Sequence, residues 1–314
     1  MKYRPEGCLI RTAENQRYIS SPEGLAEAME KGVILEGRAA VCDSSHDLIV
    51  DLPCARGMIP RAEGAIGIAD GKTRDIALIS RVNKAVCFKV KELYTGSGGT
   101  LTARLSRLAA QEECMSCYID TLSPGDIIDA KVTHMEQFGC FVDIGCGIPS
   151  MIPIDSISVS RIAHPSDRFV IGQMIRAVVK SSTSAEDKRI CLTHRELLGT
   201  WEENAASFSP GETIAGIVRS VEDYGVFVEL KPNLAGLAEL KSDVYPGQLV
   251  SVFIKAIIPE KMKVKLIIVD SCGDCADAPP QSAEYFVSGA HIDKWVYSPA
   301  VSGKDISTDF TAQG

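Results

Sequence analysis

Apolar and polar positions alternate along most of this chain, with short interruptions at three- and four-residue spacing. Alternation marks strands with one buried face, and the longer spacing marks helices. Ser21-Pro22-Glu23-Gly24 predicts a helix start, with Ser as N-cap, Pro in the first turn and Leu25, Ala28 and Met29 as the apolar stripe. From Val33 the period becomes two. Strands are predicted over 35–41 and 46–52 across the turn Asp43-Ser44-Ser45, then at 57–60, 85–90 and 100–105. A helix follows from Ser106 to about Ile119, with Leu108, Met115, Tyr118 and Ile119 on one side. The strand pattern restarts at 127–132, 138–143, 150–153, 174–179 and 189–192. A second helix opens at Thr193-His194-Arg195, carries Leu197, Leu198, Trp201 and Ala205, and stops at Ser209-Pro210-Gly211. A third round comprises 214–218, 224–229, 234–238, 250–255 and 263–266. The tail after Asp270 is expected to be a packed extension followed by disorder.

The rounds repeat one another. Phe138-Gly139-Cys140-Phe141-Val142-Asp143 and Tyr224-Gly225-Val226-Phe227-Val228-Glu229 both read aromatic-Gly-small-Phe-Val-acid, and each follows a Ser-Pro-Gly-acid turn. Val132 to Asp143, Val218 to Glu229 and Ala40 to Asp51 overlay without a gap, which sets His46 and Ile49 where the later rounds carry aromatics. Strict alternation puts Phe138 on the face of Cys140 and Val142, and Phe141 on the opposite face. The glycine is read as a point of bending or bulging. Five strands per round fit a small Greek-key barrel better than a sandwich. The expected fold is therefore all-β: tandem five-stranded OB-fold Greek-key barrels joined by short amphipathic α-helices. The predicted division is a helical lead-in (1–32), a degenerate barrel (33–107), a linker helix (108–121), a barrel (122–193), a linker helix (194–208), a barrel (209–270) and a tail (271–314).

Composition changes the picture in two ways. The 11 cysteines are odd in number and sparse in 314 residues, and no apolar run would span a bilayer, so a reducing cytoplasm and no membrane partner are expected. The formal net charge of −8 argues against strong non-specific binding to phosphates, which draws on Lys and Arg. Any nucleic-acid face has to be local.

In the later two rounds the residues resemble a known family, the S-one RNA-binding repeat. The middle round carries the resemblance at Pro124-Gly125, Phe138-Gly139, Phe141-Val142-Asp143, Ile171-Gly172-Gln173 and Arg189-Ile190-Cys191-Leu192-Thr193. The third carries it at Pro210-Gly211, Tyr224-Gly225, Phe227-Val228, Gly236-Leu237, Pro246-Gly247-Gln248 and Lys263-Val264-Lys265-Leu266. The resemblance implies an RNA face built from second-strand aromatics, a His closing the third strand and a base on the fifth. Phe138, Phe141 and Arg189 answer to that pattern in the middle round, and Tyr224, Phe227 and Lys263 in the third. Pro153 and Ala238 stand where the His would be.

An aromatic on the outside of a small barrel is a platform for stacking a base, although such a ring also serves to cap the barrel or to pack on a linker helix. Lys131, Arg189, Arg219 and Lys263 are the candidate phosphate contacts, with Lys255 and Lys265 beside them; taken singly, each is more often a solvated strand residue, so only a shared face carries weight. Cys114-x-x-Cys117 and Cys272-x-x-Cys275 have no His at zinc-site spacing, and no nucleophile sits in a hydrolase motif, so neither cofactor nor enzymatic activity is expected. The expected partner is single-stranded RNA or the ribosome. The alternative is a protein-interaction scaffold, with the degenerate first barrel as a place for a protein partner.

Overall fold

The computed structural model describes residues 3–96, 99–182, 190–274 and 284–311. Two helices lead in, α1 (Ala13–Ile19) and α2 (Pro22–Lys31), capped by Thr12 and Ser21, whose side chains accept from the Asn15 and Gly24 N–H groups. The first barrel comprises β1 (Leu35–Cys42), β2 (Leu48–Asp51), β3 (Arg56–Ile59), β4 (Ala85–Thr95) and β5 (Leu101–Ser106), with the short α3 (Ile76–Ile79) between β3 and β4. Helix α4 (Arg107–Cys117) leads to β6 (Ile127–Glu136), β7 (Gly139–Asp143), β8 (Pro149–Pro153), β9 (Met174–Ser182) and β10 (Ile190–Thr193). After α5 (Trp201–Ala205) come β11 (Thr213–Glu222), β12 (Gly225–Lys231), β13 (Leu234–Ala238), β14 (Gln248–Ile258) and β15 (Lys263–Asp274). The tail adds a hairpin, β16 (Lys294–Val296) and β17 (Ser307–Asp309).

Each set of five strands closes in the spatial order first-second-third-fifth-fourth. The third and fifth strands of every set pair in parallel, as in Met58 with Arg104, Met151 with Cys191 and Leu237 with Lys265. This is the OB-type Greek-key barrel, closed so that no edge remains to recruit other chains. Alternation fills the interiors: Leu48, Val50, Phe88 and Leu105 in the first barrel, Val132, Cys140, Val142 and Ile152 in the middle one, Val218, Val226, Val228 and Val252 in the third. By compactness the chain divides into two units, 1–122 with 143–149, and 123–142 with 150–314.

Within the first unit, the lead-in is tied down by buried charge. The Glu36 carboxylate accepts the backbone N–H groups of Gly7 (3.0 Å), Leu9 (2.9 Å) and Ile10 (2.8 Å). Glu6 pairs with Arg107 at 2.7 Å and Arg81 at 3.2 Å, and its own N–H donates to Asp143 at 2.7 Å. Burial, then the charge of Glu6, push Asp143 up to about 6. Burial alone would raise Glu6 too, but the charges of Arg107 and Arg81 outweigh it and the net movement is downward.

Within the second unit, residues 284–311 form a strap. Ile127 N–H donates to Ala290 O and Ile292 N–H to Gly125 O, and the Tyr297 hydroxyl donates to Asn233 O at 2.6 Å. Trp295, Tyr297 and Phe310 are buried. His194, also buried, uses Nδ1 on Ile157 O (2.9 Å) and Nε2 on the Tyr285 hydroxyl (3.2 Å); burial lowers it to about 4, so the ring is neutral.

Four sequence expectations change. The first hairpin does not overlay without a gap: Ala39 pairs with Val50 and Asp43 with Asp47, leaving a loop of Ser44, Ser45 and His46, where the third barrel pairs Val218 with Val228 and turns through Asp223 and Tyr224. One residue has been inserted before β2. The buried side of α4 is Arg107, Ala110, Gln111 and Cys114, because Arg107 must reach Glu6; Leu108, Met115 and Tyr118 are only half-buried. The second linker breaks at Gly199 (φ 81°) into a 3₁₀ turn, Arg195–Leu198, and α5. The fourth concerns Phe138, which lies in a turn and not in a strand. Arg189 and Cys275 lie outside the described residues.

Candidate nucleic-acid interface

Phe138 is not in a strand. It occupies the second position of the two-residue turn Gln137-Phe138 that joins β6 to β7, so it escapes the alternation that buries Cys140 and Val142. Its ring is 57% exposed and meets Phe141 edge-on, centroids 5.9 Å apart and planes at 89°. The two rings therefore share the outer surface, against the expectation of opposite faces. The third barrel repeats the arrangement: Tyr224, 70% exposed in the turn before β12, meets Phe227 at 6.0 Å and 89°. Phe141 and Phe227 are half-buried, each between two core neighbours.

The glycine in each motif has a different task from bending. A Cβ on Gly139 would lie 2.6 Å from Ile152 O, and one on Gly225 would lie 2.5 Å from Ala238 O. The glycine lets the third strand's carbonyl approach directly behind the aromatic. In the first barrel Asp47 holds this place and the loop is longer; Ile49 lies in register with Met58, and Met58 with Arg104, so an aliphatic side chain takes the ring's position.

Of the basic candidates, Lys263 and Lys265 are exposed on β15, and Lys265 lies in register with Leu237, itself in register with Phe227. At about 4.8 Å per strand, that sets a cation within about 10 Å of the rings. Lys255 is exposed, and Lys131 is half-buried on β6 opposite Met174. Arg219 is a different matter. The ladder skips it at a bulge between Val218 and Ser220, and its guanidinium pairs with Glu229 (2.9 and 3.1 Å) and Asp167 (3.4 Å), while Arg168 also pairs with Glu229. The acid of the motif consumes that arginine, which removes it from an open phosphate track. In the middle barrel the same position is Asp143, which anchors the lead-in.

Sequence reasoning missed His134. Its ring lies over Phe141, centroids 6.1 Å apart and planes at 28°, with Nε2 2.6 Å from Glu136. Position along β6 was no guide, because alternation there ends at Val132. Among the described residues no group of three His, Cys, Asp or Glu is placed to hold a metal ion.

Fold and motif together define a tandem OB-fold protein. Residues 121–195, which hold the middle barrel, match the family described as S1 RNA binding domain. Over 230 residues the chain is 28% identical to small ribosomal subunit protein bS1 of Rhodopseudomonas palustris, covering 71% of this chain and 38% of that one. Over 287 residues it is 27% identical to the Staphylococcus aureus protein of the same name, covering 86% of this chain and 70% of that one. The chain thus spans well under half of the first relative and just over two thirds of the second. A solved multidomain protein with nucleic acid binding domains from Streptococcus pneumoniae aligns over 76% of this chain and 74% of its own, at 13% identity and a TM-score of 0.24. No helix among the described residues is long and apolar enough to cross a membrane.

Proposed function

We propose that the chain binds single-stranded RNA through the outer faces of its middle and third barrels, in a ribosomal or messenger setting. The observation that carries this is the repeated ring pair. Two barrels each hold an exposed aromatic edge-on to a half-buried phenylalanine, and leaving such rings in water gains nothing for folding. One base stacks on Phe138 and another on Tyr224, while Lys263, Lys265 and the lysine and arginine of the middle barrel, Lys131 and Arg189, meet phosphates. Because the net charge is −8, non-specific affinity is weak, and the salt dependence comes from these few local cations.

The test is fluorescence anisotropy of a labelled single-stranded RNA across a salt series, with the Phe138→Ala/Tyr224→Ala double variant beside the native chain. Each lost stack is expected to weaken binding by about 1–3 kcal/mol without changing the salt slope. Failure of the folded native chain to bind RNA at low salt overturns the proposal and leaves the same faces to a protein partner. Equal binding by the double variant overturns the stacking site.

A further inference from the structure

Both ring pairs are bordered by acid. Glu136 closes β6 beside Phe138, and Glu222 and Asp223 stand at the same turn beside Tyr224. A carboxylate there repels the backbone of any RNA lying on the rings. In the middle barrel His134 is set against that acid, its Nε2 2.6 Å from Glu136. Its place in the third barrel is taken by Ser220, in register with Phe227, and in the first by Val41, in register with Ile49.

From this geometry we infer that His134 is a third RNA-contacting ring of the middle barrel and makes that barrel's affinity rise as pH falls. The inference rests on the RNA-binding function proposed above. His134, Phe141 and Phe138 form a continuous aromatic surface, the first pair near-parallel and the second edge-on. Neutral His134 shares a proton with Glu136 and leaves the local charge at that of the carboxylate. Protonated, it cancels that charge and presents an imidazolium to phosphate. The turn Pro165–Asp167, packed against β6, carries Asp167, which pairs with Arg219 at 3.4 Å, and is capped by His164, whose Nδ1 meets the Ser166 hydroxyl. On β7 the Cys140 thiol is buried in the core, and Asp143, raised to about 6, is buried and accepts the Glu6 N–H, so the His134→Phe variant separates its response from that of the ring. The segment Val170-Ile171-Gly172-Gln173, which hydrogen-bonds to Val132 on the other flank of β6, is uncharged. On β6 itself the other charged groups are Asp129, Lys131 and Glu136. The third barrel, with Ser220 beside Glu222, has no such response.

The experiment titrates a rhodamine-labelled oligouridylate, whose bases do not ionise in this range, with the full chain between about pH 8 and pH 5.5. The variants are His134→Phe, which keeps a ring but not a charge, and Ser220→His, which adds an imidazole to the third barrel. Affinity of the native chain is expected to rise about three- to tenfold on acidification, with a log–log salt slope steeper by about 0.7 at the lower pH, the value for one added cation on a single strand. Whatever its affinity at pH 8, His134→Phe loses most of the rise; Ser220→His enlarges it. The same rise in the native chain and His134→Phe overturns the inference and leaves RNA binding standing. Absence of saturable binding by the native chain at every pH overturns the binding function itself.

Discussion

Glu36 offers the sharpest test of how the first compact unit is held together. It is fully buried, and burial pushes its carboxyl up to about 7, against the lowering effect of three backbone N–H donors, Gly7, Leu9 and Ile10. A carboxyl that is harder to ionise folded than unfolded holds its proton in the native state between about pH 4.5 and 7. The native state then binds more protons than the unfolded one, so stability falls as pH rises through that window. The gap between the ordinary value of 4.5 and about 7 corresponds to about 3 kcal/mol, at 1.36 kcal/mol per pH unit. Asp143, up to about 6, acts in the same direction over a lower window. In the Glu36→Gln variant the charge is gone and the amide can satisfy only some of the three donors. It is expected to be less stable than the native chain near pH 5 by about 1–2 kcal/mol and nearly level with it or better at pH 8.5. Trp201 and Trp295 both lie in the other compact unit, so the readout is native-state hydrogen exchange of β1 and β4 amides through a urea series. If those amides in the native chain and in Glu36→Gln show the same pH slope, buried ionisation of Glu36 plays no part and the reasoning is wrong.

Two further results are expected. Gly225→Ala, with φ at 151° and a Cβ 2.5 Å from Ala238 O, costs about 2–4 kcal/mol in urea denaturation followed by tryptophan fluorescence, whereas Gly211→Ala, at φ 96° in open space, costs about 1 kcal/mol; equal costs would mean that the carbonyl approach is unimportant. His291, held by hydrogen bonds to Asp126 (2.7 Å) and Asp293 (3.3 Å), is raised above its usual range, chiefly by the Asp126 bond, so its grip on the strap is complete below about pH 6.5 and is lost as pH climbs through the raised value. Exchange of the Ile127 and Ile292 amides, after correction for intrinsic rates, is expected to quicken above that point in the native chain and to show no such step in His291→Gln.

Much of the barrel architecture was legible from residue order. Period-two alternation gave fifteen strands in three sets, and the recurring aromatic-Gly-small-Phe-Val-acid run marked the hairpin that carries the rings, because both signals come from neighbours a few residues apart. The same locality explains the errors. Strict alternation sent Phe138 to the wrong face, since a two-residue turn resets the count and only the turn's geometry says where the ring goes. The gapless overlay of the first hairpin failed because ladder pairing decides register, and a loop longer by one residue is invisible to a comparison of strand patterns.

What only the tertiary structure decided depends on groups far apart in the chain. Arg219 looked like a phosphate contact until Asp167 and Arg168 were brought to Glu229 beside it, and one carboxylate shared by two arginines leaves little of either for a ligand. His134 was an ordinary strand residue until β7 set Phe141 under its ring. The tail, sparse in pattern, is anchored by Tyr285, Trp295 and Tyr297 against residues about 60–110 positions earlier, including His194, Asn233 and Arg176. A repeating side-chain pattern specifies a barrel because each strand needs only one buried face. It cannot specify which charges meet, because ion pairs and ring contacts depend on which surfaces the closed barrels bring together.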